Sequence, residues 1–210
     1  MTSVLVVDDH EIVRRGLREV LVEGLAGARV AEAGNAAEAL DRLDQEPRDL
    51  MLLDIALPGR SGLELLEDAR RLHPALRVLV VSGYPEEEFA VRSIRLGAAG
   101  YVTKSMASRE LLEAARHVLA GRRFVSASLA QRLADLVGGT LRDTPHAALS
   151  ARELEVLKRV ACGRTLKEIA GELRISEKTV ATYRARVSEK LGLSRRVELT
   201  RYAIQHRLVD

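Results

Sequence analysis

Uninterrupted four-residue apolar runs recur through the first part of the chain, VLVV at 4–7, LMLL at 50–53 and VLVV at 78–81. A strand with one wet face alternates apolar and polar residues, so continuous runs of this length call for strands covered on both sides. Two weaker runs, at 29–31 and 100–102, bring the count to five. Segments with helical periodicity fill the gaps, at 11–23, 36–43, 62–72, 86–96 and 108–119. Strand and helix in strict alternation predict an α/β fold, a five-stranded parallel sheet wound on both faces by helices. The run RVAEAG is the least apolar and is expected at a sheet edge.

After Phe124 the pattern changes. Every remaining periodic segment reads as helix, at 127–137, 151–161, 166–173, 177–191 and 196–206. GGTLRDTPH at 138–146 has turn formers and little apolar content, and reads as linker. The expected division is a first domain at 1–122, a linker with one helix at 123–146, and a smaller all-α domain at 147–210. Charge divides in the same way. Residues 1–122 carry 16 basic and 20 acidic side chains, whereas residues 123–210 carry 17 and 10. The basic half is the candidate for nucleic acid, the alternative being ordinary variation between two solvated surfaces. With aromatics at 3% and no Trp, a stacking platform for single strands is disfavoured. The single cysteine, Cys162, rules out a disulfide framework and fits a reducing cytoplasm; its helical setting reads as a buried small residue. No apolar stretch approaches the roughly 18 residues of a membrane span, and MTSVLVVDDH lacks the basic start of a signal peptide.

Ligands of doubly wound sheets bind beyond the carboxyl ends of the strands. Here the first strand ends in Asp8 and Asp9, the third in Asp54, the fourth in Ser82 and the fifth near Lys104. Clustered carboxylates repel, and a hard cation such as Mg²⁺ relieves them. An ammonium beside them suits a phosphoryl group carried on a carboxylate. The alternative is that the aspartates only cap the helix that follows. No glycine-rich nucleotide loop follows any strand.

In the second half, Ser150 and Glu153 form a capping-box pattern before an apolar-periodic segment. LKEIAGEL then presents Ile169, Ala170 and Leu173 on one face, Arg174–Ser176 turns the chain, and Ser176 is placed to cap the next helix. Val180, Val187 and Leu191 share the inner face of that helix, leaving Lys178, Ala181, Thr182, Ala185 and Arg186 outside, with Thr179 in the same set. Two helices joined by a tight turn, the second slim and basic, suit a major groove; a plain helical bundle is the alternative.

VLVVDDH, DIALPGRSGLELL, VVSG and GAAGYVTKS together resemble the receiver domain of two-component response regulators, a flavodoxin-like fold. LSARELEVLKRVACG, TLKEIAGELRISEKTV and KLGLSRRVEL resemble the LuxR-type helix-turn-helix. The pair resembles regulators of the NarL/FixJ type. The resemblance implies Asp54 as phosphoacceptor for a sensor histidine kinase. Asp9, Asp54 and the Ala56 carbonyl would bind Mg²⁺, with Asp8 assisting through water. Ser82 and Lys104 would contact the phosphoryl group. Tyr101 would be the switch aromatic, with plain core packing an equal alternative. It also implies a cytoplasmic regulator of transcription rather than an enzyme, binding double-stranded DNA as a homodimer. Ser105 stands where many receivers have Pro, Ala181 where relatives often have Lys, and Tyr183 where many have His. In the last helix Val197, Tyr202 or Arg201, Ile204 and Leu208 either supply a dimer contact or close the domain core. Two other functions compete: a phosphotransfer module whose helical domain binds only protein, and a phosphatase using Asp54, for which no acid/base partner stands out.

Overall fold

The structure is a computed structural model that describes residues 1–137 and 144–209. The chain divides into two compact units, Met1–Arg142 and Asp143–Asp210.

The first unit alternates as the apolar runs require: β1 (Ser3–Val7), α1 (Glu11–Gly24), β2 (Arg29–Ala33), α2 (Ala36–Gln45), β3 (Leu50–Leu53), α3 (Gly62–Leu72), β4 (Arg77–Ser82), α4 (Glu86–Arg95), β5 (Gly100–Thr103) and α5 (Ser108–Leu119). The strands are parallel in the order β2-β1-β3-β4-β5, with β2 at the edge as its weak pattern predicts. Val4 to Val7, Leu50 to Leu53 and Val78 to Val81 are at most 3% exposed. Each such side chain contributes about 1.5–3 kcal/mol of burial. These runs therefore build the core of the sheet.

The strand register sets the site. Val7 pairs with Leu53, and Leu53 with Val80. Asp8 and Asp54 therefore leave neighbouring strands side by side, and Asp54 N–H bonds Val7 O at 2.8 Å. Lys104 N–H bonds Ser82 O at 2.7 Å, bringing β5's end to the same rim. The loop carrying Asp54 is then clamped by α3. Ser61 and Glu64 form a capping box at its start, and Gly62 packs so closely that a Cβ would lie 2.3 Å from Asp54 O.

The chain stays on this unit past residue 122. Phe124 forms a parallel bridge with Gly100, its N–H bonding Ala99 O at 2.9 Å. Then α6 (Ala127–Val137) packs against α4, with Leu129 fully buried. The linker expected at 138–146 falls largely on residues 138–143, outside the described residues.

The second unit opens with a 3-10 turn at Pro145–Ala148, followed by α7 (Ala151–Ala161), α8 (Leu166–Leu173), α9 (Glu177–Leu191) and α10 (Arg196–Gln205). Capping boxes start α7 and α8, and Ser176 Oγ accepts the Thr179 N–H to start α9. Leu154, Leu157, Val160, Ile169, Val180, Val187 and Leu199 form its core. Glu153, 2% exposed, is neutralised by Lys190 Nζ at 2.6 Å, which ties α9 to α7. Cys162 departs from expectation: it is exposed. It is the C-cap residue of α7, where the helix ends before Gly163 at φ +87°, so the inward face has already run out. All peptide bonds among the described residues are trans, including the one between Lys104 and Ser105.

Candidate functional site

The acidic pocket is organised by one ammonium. Lys104 Nζ lies 2.6 Å from Asp54 Oδ2 and 2.5 Å from Asp8 Oδ2. Both aspartates are at most 2% exposed. Their other oxygens take backbone donors: Ala56 N–H bonds Asp54 Oδ1 at 3.0 Å, and His10 N–H bonds Asp8 Oδ1 at 2.8 Å. Burial pushes the Asp54 carboxyl above its ordinary pKa; Lys104 opposes that shift and the charge on Asp8 reinforces it. For Lys104, burial works against the ammonium, but the two carboxylates hold its pKa above the usual lysine value. Asp54 is thus a desolvated carboxylate at the rim of a sheet, with its cation already in contact.

Ser82, fully buried at the end of β4, accepts the Tyr84 N–H at 3.1 Å. Tyr101 Oη donates to Tyr84 O at 3.0 Å from inside the unit. Burial pushes its hydroxyl pKa well above the tyrosine value, and a hydrogen bond with Ser82 only partly offsets this. Ser82 and Tyr101 therefore grip the same loop residue. The Tyr84 ring packs edge-on against Phe89, centroids 5.1 Å apart.

Asp8, Asp9, His10 and Asp54 each offer a ligand atom, all within 4.8 Å of one another. Three of the four are carboxylates, a donor set that suits a hard divalent cation. His10 is an addition: its Nδ1 lies 2.7 Å from Asp9 Oδ1 and 3.2 Å from Asp8 Oδ1. The sequence reading gave it no role.

In the second unit, α9 buries Val180, Tyr183 and Val187 and turns Lys178, Thr182, Ala185 and Arg186 outward. Ala181 and Thr179 are half-buried. The Thr179 hydroxyl is engaged by Ser176 Oγ at 2.8 Å in the helix cap. Thr182 Oγ1 donates back to Lys178 O at 3.0 Å, and the residue is exposed. Tyr183 is 5% exposed and belongs to the core.

A family model described as "Response regulator receiver domain" matches residues 4–116. A second, "Bacterial regulatory proteins, luxR family", matches residues 147–203. The chain is a response regulator. It is 38% identical over 212 residues to response regulator GacA of Pseudomonas protegens, covering all of this chain and 99% of that protein. Among solved structures, the regulator resembles RcsB of Salmonella typhimurium with a TM-score of 0.61 and 26% identity, over 97% of this chain and 100% of that one. A structure of two RcsB dimers bound to two parallel DNAs matches with a TM-score of 0.59 and 26% identity, over 97% and 98%. The family is one of regulators, not enzymes.

The regulator thus brings Asp8, Asp9, Asp54 and Lys104 together, with Ser82 joined to Lys104 through its carbonyl and to Tyr101 through Tyr84. Ala56 contributes its N–H to Asp54. His10 could have been noticed as the next residue in VVDDH, but one histidine beside two aspartates carries no spacing signal. Among the described residues no helix is long and apolar enough to cross a membrane.

Proposed function

We propose that Asp54 accepts a phosphoryl group from the phosphohistidine of a sensor kinase, and that this controls binding of the C-terminal unit to double-stranded DNA. The single observation behind this reading is the buried Asp54 carboxylate in direct contact with Lys104, beside Asp8. A carboxylate oxygen of Asp54 attacks phosphorus, the P–N bond breaks, and its electron pair returns to the donor imidazole, leaving an acyl phosphate. Lys104 neutralises the added charge, and the Ser82 hydroxyl turns to donate to a phosphoryl oxygen. Asp9 and Asp54, with the Ala56 carbonyl and Asp8 through water, would hold Mg²⁺, which when bound offsets charge on the carboxylates and the phosphoryl oxygens. His10 Nδ1, 2.7 Å from Asp9 Oδ1, stands beside that site.

The division into residues 1–122, 123–146 and 147–210 serves this reading as phosphoacceptor, connector and DNA-binding parts. Lys178 and Arg186 contact phosphates, while Thr182, Ala181 and Ala185 offer methyl and acceptor groups to base edges, and Thr179 positions the helix start. On α10, Val197 and Ile204 are 75% and 54% exposed and share a helical stripe with exposed Arg201. Leu199 and Ala203 close the core instead. The stripe is offered to a second copy, consistent with RcsB dimers on DNA. The regulator works in the cytoplasm, where kinase and DNA meet.

Titrating the full chain onto DNA across a salt range, with and without a small-molecule phosphodonor, tests the reading. The account expects salt-dependent binding that the phosphodonor changes in wild type and leaves unchanged in Asp54→Asn. No salt-dependent binding to DNA, with or without phosphodonor, would point to the protein-only alternative.

A further inference from the structure

Two serines at the start of α6 share one carboxylate oxygen of α4. Ser126 Oγ donates to Glu86 Oε1 at 2.5 Å, and Ser128 Oγ donates to the same oxygen at 2.8 Å. Ser126 Oγ also accepts the Leu129 N–H at 3.0 Å. The hydroxyl that caps α6 is therefore also bound to Glu86. Two further contacts fasten this stretch to the first unit. Phe124 pairs with β5 beside Gly100, where a Cβ would stand 2.7 Å from Phe124 O, and Leu129 is fully buried. Both of those are fixed by close backbone approach or apolar packing. The Glu86 contact differs, because Glu86 opens α4 directly after the loop that follows Ser82.

Glu86 is the first residue of α4, two positions after Tyr84. Tyr84 is held at both its backbone groups, the N–H by Ser82 Oγ and the carbonyl by Tyr101 Oη. A phosphoryl group on Asp54 brings oxygens that need donors into this corner. When the Ser82 hydroxyl turns to supply one, its bond to the Tyr84 N–H is disturbed, and Tyr84 and Glu86 move on one short stretch of backbone. A single oxygen holding two hydroxyls at 2.5 and 2.8 Å has little slack to absorb that movement.

We propose that Glu86 is a latch on α6. In the unmodified chain it pins the start of the helix to α4, and it releases the helix when Asp54 is phosphorylated. The phosphate-driven part rests on the reading of Asp54 given above. Release leaves the backbone pairing of Phe124 and the apolar packing of Leu129 in place, so α6 loosens at its start without leaving the first unit. α6 is also the last described element before residues 138–143 lead into the C-terminal unit, so the state of the pocket reaches the connector by covalent continuity.

Hydrogen–deuterium exchange on the full chain tests this, read on peptides spanning 127–137 with α5 peptides as internal reference. Wild type, Glu86→Ala and Ser128→Ala are each measured with and without a small-molecule phosphodonor and Mg²⁺, and intact mass records the adduct. Without phosphodonor, Glu86→Ala is expected to raise exchange in α6 by roughly tenfold, and Ser128→Ala, which keeps the Ser126 cap, by less. Phosphorylated wild type should match unmodified Glu86→Ala, and phosphorylation should add nothing further to that variant. Exchange in α5 should stay at the wild-type level throughout. The latch is overturned if Glu86→Ala leaves α6 as protected as in wild type. Phosphate-driven release is overturned if wild type carrying the adduct keeps α6 protected. Absence of any adduct overturns the Asp54 reading instead, and the unmodified Glu86→Ala comparison then decides by itself whether the carboxylate holds α6.

Discussion

Lys104 contacts Asp54 at 2.6 Å inside a rim where Asp8 claims the same ammonium at 2.5 Å. One cation thus serves two buried carboxylates, and the pocket is short of positive charge. Removing Lys104 leaves both anions desolvated. Lys104→Ala is expected to cost about 3 kcal/mol in urea unfolding. Most of that should return in the Lys104→Ala/Asp54→Asn double variant, because one of the two carboxylates left without Lys104 is then removed. Additive losses would show that the two side chains are not coupled.

The same shortage gives a pH dependence with a definite sign. The folded chain holds Asp54's pKa above its ordinary 3.8, chiefly through burial. A raised carboxyl pKa means stability that is full below the unfolded value and is lost as pH rises through the folded one. In metal-free buffer, Asp54→Asn should therefore be more stable than wild type at pH 7, by about 1 kcal/mol. The gap should close only below the ordinary carboxyl value, toward pH 3, where Asp54 is protonated in both states. Chemical denaturation at the two pH values measures it, and a gap that widens on acidification would contradict the charge argument.

Gly62 carries a different constraint. A Cβ there would meet Asp54 O at 2.3 Å and Ile55 Cα at 2.5 Å, all backbone. Gly62→Ala should destabilise the first unit by about 2–3 kcal/mol and displace the loop that presents Asp54. The rate of phosphoryl uptake in the variant that still folds should fall with it. A variant with wild-type stability would mean that α3 can back away from this loop.

Arg174 ends α8 in the left-handed region, at φ +54°, where a Cβ is unfavourable. It is exposed, so little packing is lost on replacement. Arg174→Gly should stabilise the second unit by about 1 kcal/mol, read as a higher thermal midpoint for that unit. Destabilisation would mean that the guanidinium supports the turn.

The strand ends were legible because the buried runs VLVV, LMLL and VLVV each stop at a polar residue, and the observed pairing puts Asp8, Asp54 and Ser82 on one rim. The inner face of α9 was legible through Val180 and Val187. Side-chain contacts between distant segments were not. Glu86 and Ser126 stand 40 residues apart with no pattern joining them, and Glu153 meets Lys190 across 37. Cys162 misled because it directly follows an apolar-periodic segment; as the C-cap residue of α7 it lies past the last inward-facing position and is exposed. Tyr183 was left without a place because an aromatic at the inner edge of a helix fits either core or groove; at 5% exposure it is core.

On α9, removing Lys178 or Arg186 should weaken binding to every DNA sequence and reduce the salt slope by about one unit each. Thr182→Ala should alter sequence preference at little cost to nonspecific binding. Competition titrations with specific and random duplexes separate these outcomes. Wild-type binding by all three variants would place the groove-facing helix elsewhere.

The most direct measurement is the intact mass of the chain after incubation with a small-molecule phosphodonor and Mg²⁺. The account predicts one acid-stable, base-labile phosphoryl group on wild type and none on Asp54→Asn. The same adduct on Asp54→Asn would contradict it.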